Sequence, residues 1–215
     1  MAGEFVVHGE RGWGNVAVEA ALTLIGAPYR VVDAGASGPD RPPRTITAQV
    51  PVLELPGGEI ITESAAILIW LADAFPAARL SPPIDSPLRP AFLRWMAFVS
   101  SSIYALYWVR DVPGRVVDGE AARAQVKARL MERVVHNWAL MDRSITPGAW
   151  LLGDDLTVLD LYVTVVSRWT PRQPLHQNIA PRIGEVVRRV EAHPRLAALW
   201  AERFPVGIDP DEAGA

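Results

Sequence analysis

The chain has 215 residues, 21 Lys and Arg against 24 Asp and Glu, four His and no Cys, with 50% hydrophobic and 21% charged residues. That is about 1.4 typical domain lengths, enough to bury a core in one large or two small domains. A net charge of −3 without a run of like charges excludes a basic nucleic-acid groove or an anionic-membrane surface, and zero Cys excludes a disulfide framework, a CxxC redox pair, thiolate-bound zinc and a cysteine nucleophile. Any thiol chemistry has to use another molecule's sulfur.

Met1 to Val7 has no basic region leading into a signal-length apolar run, and no window approaches about 18 uninterrupted apolar residues, so the expectation is a soluble, cytoplasmic protein. Phe5 to His8, Tyr29 to Asp33, Val52 to Leu55 and Glu59 to Thr62 are short Val-, Ile- and aromatic-rich runs bounded by Gly or Pro, which predicts strands. Between the first two, Asn15 to Ile25 (NVAVEAALTLI) carries apolar residues on adjoining stripes of a largely buried helix, closed by Gly26. Pro56-Gly57-Gly58 supplies a fixed φ followed by two permissive residues, the chemistry of a tight hairpin. Glu63 to Ala74 is a helix with Ile67, Leu71 and Ala74 on one face.

The order β-α-β, a loop, then β-β-α predicts a compact α/β sandwich over residues 1–78. Phe75 to Leu88 holds four Pro without periodicity, which makes 79–88 a linker. Five helices follow, at Arg89 to Arg110, Glu120 to Arg143, Leu156 to Trp169, Arg182 to Ala192 and Pro194 to Phe204, an all-helical domain over 89–205. The small and acidic composition of 206–215 predicts a disordered tail. The fold class is therefore α/β plus all-α.

Three segments carry chemistry. Pro51 opens a strand, where Pro fits only at the first position or at an edge because it cannot donate to the ladder. It is either an ordinary strand-entry proline or a cis linkage that turns the Val50 N–H and C=O outward to pair with an extended peptide-like ligand. Thr62-Glu63-Ser64 joins the fourth strand to a helix; Thr62 or Ser64 can simply cap that helix, or a Ser hydroxyl at the helix N-terminus can hold a carboxylate while Glu63 holds an ammonium. Thr157 and Asp160 in Gly153-Asp154-Asp155-Leu156-Thr157-Val158-Leu159-Asp160 have capping-box spacing, a structural role.

Val50-Pro51-Val52-Leu53-Glu54-Leu55-Pro56-Gly57-Gly58-Glu59-Ile60-Ile61-Thr62-Glu63-Ser64, running into Ala65-Ala66-Ile67, resembles the glutathione-binding segment of the glutathione transferase superfamily, and the Thr157/Asp160 box resembles that family's buried capping box. The resemblance spans about residues 4 to 204. It implies a thioredoxin-like N-terminal domain followed by an all-helical one, glutathione as co-substrate, and contacts from the Val50 backbone to the cysteinyl unit, from Pro51 at the turn, and from Glu63 and Ser64 to the γ-glutamyl unit. It also implies a homodimer, and it explains the missing Cys, because the ligand brings its own thiol.

Family members activate that thiol with a Tyr, Ser or Cys between the first strand and first helix. Here the segment is His8-Gly9-Glu10-Arg11-Gly12-Trp13-Gly14-Asn15, without hydroxyl or thiol. A thiol of pKa about 8.5 is a few per cent ionised at neutral pH, and lowering it by two units takes about 2.7 kcal/mol. A helix N-terminus contributes roughly 0.3–1 kcal/mol, up to about 2 when partly buried, and a side-chain hydrogen bond to the thiolate about 1.5–3 kcal/mol. The candidates are Asn15, which can also cap the first helix, the Trp13 indole N–H, and Arg11 through its charge. His8 is a base or, at the end of a buried strand, a core residue. The remaining His lack metal-ligand spacing, so no metal is expected.

Tyr104, Tyr107 and Trp108 at i, i+3 and i+4, followed by Arg110, form either a core stripe or an aromatic substrate cleft. The leading expectation is a transferase that conjugates glutathione thiolate to a small hydrophobic electrophile. The alternatives are a non-catalytic glutathione-binding or scaffold protein, and a glutathione-dependent isomerase or dehalogenase.

Overall fold

A computed structural model describes residues 3–35, 49–171 and 175–204. The N-terminal layer is a 4-stranded sheet in the order β2-β1-β3-β4, formed by β1 (Phe5–Gly9), β2 (Tyr29–Asp33), β3 (Val52–Glu54) and β4 (Ile60–Thr62). β1 runs parallel to β2, with Phe5 opposite Tyr29. It runs antiparallel to β3, which pairs antiparallel with β4. This is the thioredoxin-like arrangement, followed among the described residues by helical elements and turns without a further strand. Most of the loop expected between β2 and β3, and the tail expected at 206–215, lie outside the described residues.

Helix α1 (Asn15–Ile25) buries all but Thr23 and Ile25, which is why its sequence is apolar on adjoining stripes rather than on one. It ends at Gly26, in the left-handed region at φ 80, whose N–H bonds to the Leu22 carbonyl at 2.9 Å. In the β3–β4 turn the Gly58 N–H bonds to Leu55 O and Gly58 takes φ +87, the conformation that the Pro-Gly-Gly sequence permits. Helix α2 (Ser64–Ala74) covers the sheet, with Ile67, Leu68 and Leu71 fully buried.

Arg89 ties the α2 side to the helical region. Its guanidinium makes a bidentate pair with Asp73 at 2.8 and 2.6 Å and also bonds to the Pro82 carbonyl, closing the proline-rich segment. Beyond it run α3 (Arg89–Phe98), α4 (Ala105–Asp111), α5 (Glu120–Ser144), α6 (Val158–Ser167), α7 (Pro181–Glu191) and α8 (Ala197–Arg203). Every residue of α6 is buried, and it packs against both α1 and α2. One continuous apolar cluster therefore joins both layers.

The capping box at the head of α6 forms. The Asp160 carboxylate accepts the Thr157 N–H and hydroxyl and the Leu151 N–H, each at 2.8 Å.

Three segments depart from expectation. The run Arg89–Arg110 is not one helix, because a π-helical turn at Val99–Tyr104 separates α3 from α4. Ser100-Ser101-Ser102 falls in that turn. The Ser101 hydroxyl bonds back to the Ala97 carbonyl at 2.8 Å and Asn137 bonds to the Ser102 carbonyl, so side chains compete for helix acceptors. The terminal segment likewise divides, into a 3-10 turn at Pro194–Leu196 and α8, and an unforeseen π-helical turn lies at Leu175–Ile179.

Candidate functional site

Strand register brings three separate sequence segments to one edge of the sheet. The β1–β3 ladder ends at His8 opposite Val52, and Val52 in turn faces Thr62 of β4. Just past these pairs the chain leaves β1 for the loop Glu10–Gly14 and α1, enters β3 through Val50-Pro51, and leaves β4 through Glu63 into α2. The Val50-Pro51 peptide is cis. The N-termini of α1 and α2 therefore open at the same edge, each presenting N–H groups and partial positive charge to any anion there.

Glu63 is exposed and has φ 66, ψ 105, outside the regions an ordinary side chain prefers. Such a conformation costs about 1–3 kcal/mol and persists only where the surroundings impose it; here it falls on an exposed residue at the head of α2.

The capping role weighed for Thr62 or Ser64 is not realised. The N-cap is Glu63, without a side-chain cap bond. The Ser64 hydroxyl instead meets that of Tyr162 in α6 at 2.9 Å. Burial pushes the Tyr162 phenol up to about 12, with Ser64 and Ser100 hydroxyls opposing the shift, so it stays protonated and can donate.

The β1–α1 loop is braced from both layers. Asn15 is fully buried; its Oδ1 accepts the Glu10 N–H at 3.1 Å and its Nδ2 donates to Glu19 at 2.8 Å. It is not the N-cap of α1, which is Gly14. The capping role expected for Asn15 is therefore not realised, and its amide is bonded at both ends within the fold. Glu19, inside the apolar α1, is completely buried, and its carboxyl is pushed up by burial and pulled back by Arg203 of α8 at 2.8 Å. The Trp169 indole N–H bonds to the Gly12 carbonyl at 2.8 Å.

Of the expected groove residues in this loop, Arg11 and Trp13 are both exposed, Trp13 by 52%. Glu10 lies beside Asp33, and burial first, then that second carboxylate, raises its pKa. His8 is buried in the sheet with Nε2 2.6 Å from Glu54, a core position rather than a groove base.

Residues 17–74 match the family model of the glutathione S-transferase N-terminal domain. The chain is 29% identical over 196 residues to the uncharacterized GST-like protein YncG of Escherichia coli K12, covering 88% of this chain and 94% of that protein. It is 28% identical over 159 residues to the glutathione S-transferase GstA of Escherichia coli O157:H7, covering 72% and 74%. A solved glutathione transferase from Methylococcus capsulatus strain Bath matches with a TM-score of 0.74 at 26% identity, over 93% of this chain and 98% of that one. A transferase homologue from Sulfitobacter, solved with bound glutathione, matches with a TM-score of 0.82 at 23% identity, over 94% and 99%. The family model and the curated relatives together support membership of the glutathione S-transferase superfamily.

On the helical side of this transferase fold, the four aromatic and basic residues expected to line one cleft part company. Tyr104 ends the π-helical turn and faces the N-terminal layer: a Cβ added at Gly14 would collide with its hydroxyl. Its ring packs edge-on against Trp169 with centroids 4.7 Å apart. Tyr107 is core, its hydroxyl bonded to Thr170. Trp108 lies on the exposed surface, 43% accessible, with the Arg115 guanidinium 4.3 Å over its ring. Arg110 is committed to the Trp169 carbonyl at 2.8 Å and to the Tyr107 face at 4.5 Å. The single stripe fails because adjacent helical positions lie about 100° apart, so burying Tyr107 turns Trp108 to solvent.

Sequence reasoning also missed Glu19, Tyr162 and Trp169. Glu19 had a signal, a lone carboxylate inside an otherwise apolar helix; Tyr162 and Trp169 had none, since their roles arise from contacts with distant segments.

Proposed function

We propose that the chain is a glutathione transferase that conjugates the thiolate of bound glutathione to a small hydrophobic electrophile. What supports this reading is the convergence, at one sheet edge, of the Val50-Pro51 strand entry, the exposed Glu63 and the N-termini of α1 and α2. The γ-glutamyl ammonium pairs with Glu63 and its carboxylate with the Ser64 hydroxyl and the α2 N-terminus. The cysteinyl unit lies along the Val50 backbone beside Pro51, which sends its sulfur toward the α1 N-terminus. The electrophile enters from the side of exposed Trp13, with Arg11 adding positive charge. The thiolate attacks the electrophilic carbon, the C–S bond forms, and for an aryl halide the halide leaves with the bonding pair. A cytoplasmic homodimer belongs to the same reading, as do isomerase or dehalogenase reactions of the same thiolate.

A second reading, a glutathione-binding protein without turnover, is favoured by one observation: the loop Glu10–Gly14 carries no hydroxyl and Asn15 is spent inside the fold. Calorimetry with glutathione, and a conjugation assay with chlorodinitrobenzene, separate the two. The transferase reading expects binding with turnover, and Glu63→Gln to weaken binding by roughly 10- to 100-fold, the worth of a charged hydrogen bond. Binding without turnover favours the second reading, and no heat of binding sinks both.

A further inference from the structure

We infer that the hydroxyl which hydrogen-bonds the glutathione thiolate in this protein comes from Tyr104, across the cleft on the helical side, in place of the hydroxyl that the β1–α1 loop lacks. The inference rests on the proposed binding of glutathione along Val50-Pro51.

The loop offers little of its own. Glu10-Arg11-Gly12-Trp13-Gly14 contains no hydroxyl, the Asn15 amide is tied to Glu10 and Glu19, and the Trp169 indole N–H is already committed to the Gly12 carbonyl. What does stand at the mouth of α1 is a phenol. The Tyr104 hydroxyl lies against Gly14, the N-cap of α1, so closely that only a residue without Cβ fits there. Gly14 is buried, with φ −63, an angle any residue adopts. Glycine is thus demanded by the approach of Tyr104 and not by the backbone.

The same side chain borders the second helix mouth. Its ring centroid is 6.2 Å from that of Tyr162, whose hydroxyl meets Ser64 at the first turn of α2. Tyr104 therefore stands between the segment proposed to hold the γ-glutamyl unit and the helix end toward which the sulfur points. Its orientation is held by Trp169 at 4.7 Å and by the π-helical turn Val99–Tyr104, the kind of helix insertion that re-aims a side chain.

The electrostatics make it a donor and not a base. Burial raises the phenol's pKa most; Tyr162 of α6, Glu63 ahead of α2 and Asp111 of α4 raise it further, and only the Gly14 amide opposes them. The phenol keeps its proton at every pH where the thiol ionises. The thiol proton leaves to solvent, and the phenol O–H then donates to the sulfur anion. A hydrogen bond to a charged group corresponds to a shift of roughly one to two pH units in that group's midpoint.

The test follows the ultraviolet absorbance of bound glutathione thiolate against pH, with the pH profile of kcat/KM for chlorodinitrobenzene, in the full chain and in Tyr104→Phe. The phenylalanine keeps the ring against Trp169. The expected result is a midpoint raised by roughly one to two units in Tyr104→Phe, while calorimetry with S-methylglutathione, which has no thiol proton, gives the same affinity within about twofold. Gly14→Ala, whose new methyl displaces the hydroxyl, is expected to move the midpoint the same way and serves if Tyr104→Phe does not fold. An unchanged midpoint in a folded variant that binds glutathione overturns the role of Tyr104 and leaves the binding proposal standing. Failure of the unaltered protein to bind glutathione overturns both.

Discussion

The hydroxyl of Ser64, at the first position of α2, lies 2.9 Å from the hydroxyl of Tyr162, in the wholly buried helix α6. A hydroxyl has one proton and two lone pairs. If the permanently protonated Tyr162 phenol donates to Ser64, the Ser64 proton is left to donate to a ligand carboxylate. The helical region thus sets the direction of a groove side chain that belongs to the other layer.

Tyr162→Phe removes that donor and leaves the Ser64 hydroxyl free to rotate. The expected loss is about 1 kcal/mol of stability in urea unfolding, with glutathione affinity falling several-fold in calorimetry. Unchanged affinity would mean that Ser64 needs no orienting partner.

Asp160 carries three buried donors, so Asp160→Ala strands the Leu151 and Thr157 groups at about 1–3 kcal/mol each. The variant is expected to be recovered largely insoluble, measured as the soluble fraction against the unaltered chain. The same carboxyl gives a pH signature. Burial outweighs the donors and raises its pKa to about 6 from 3.8. A folded value above the unfolded one means that its stabilising contribution is complete below the unfolded value and fades as pH rises through about 6. Relative to Asp160→Asn, which does not titrate, the unaltered protein should lose about 2–3 kcal/mol between roughly pH 4 and pH 7 in urea unfolding, and nothing more above that.

Glu19 and Arg203 form a buried pair between α1 and α8, Glu19 with no exposed side-chain surface. Arg203→Met leaves the carboxylate without its counter-charge and is expected to cost about 3 kcal/mol or more. Adding Glu19→Gln to that variant should recover much of the loss, since a neutral amide needs no cation. A double-mutant cycle in urea reads the difference.

Trp169→Phe deletes the indole N–H that holds the Gly12 carbonyl while keeping most of the aromatic packing on Tyr104. The expected cost is about 1 kcal/mol, a fall in Tm of about 2–4 °C for a chain of this size. Hydrogen exchange should quicken at the loop amides from Gly12 to Asn15, with the β1–β3 ladder unaffected.

The Asn15–Ile25 and Tyr29–Asp33 boundaries, the Pro-Gly-Gly hairpin and the Thr157–Asp160 box were all legible in the sequence, because each is enforced by neighbours within a few residues: apolar period, a glycine at positive φ, a side chain reaching three positions back. In Val50–Ser64 the strands and the hairpin were legible for the same reason, whereas the cis linkage at Pro51 and the missing side-chain cap at Ser64 were not. The helical side was not. The break at Val99–Tyr104 coincides with the Ser101 hydroxyl and Asn137 taking helix carbonyls, and Asn137 is 35 residues from the carbonyl it takes.

By itself, then, the amino-acid order determined the two-layer class and the elements of the N-terminal layer, since local periodicity and turn chemistry carry that information. Only the tertiary structure decided which side chains face the groove. Asn15 is buried with its amide on Glu19, the carboxylate that Arg203 pairs with, Tyr107 sinks into the core while Trp108 surfaces, and Tyr104 reaches Gly14. Those outcomes depend on how a buried α6 docks two layers together, and such long-range packing leaves no mark in any short window of sequence.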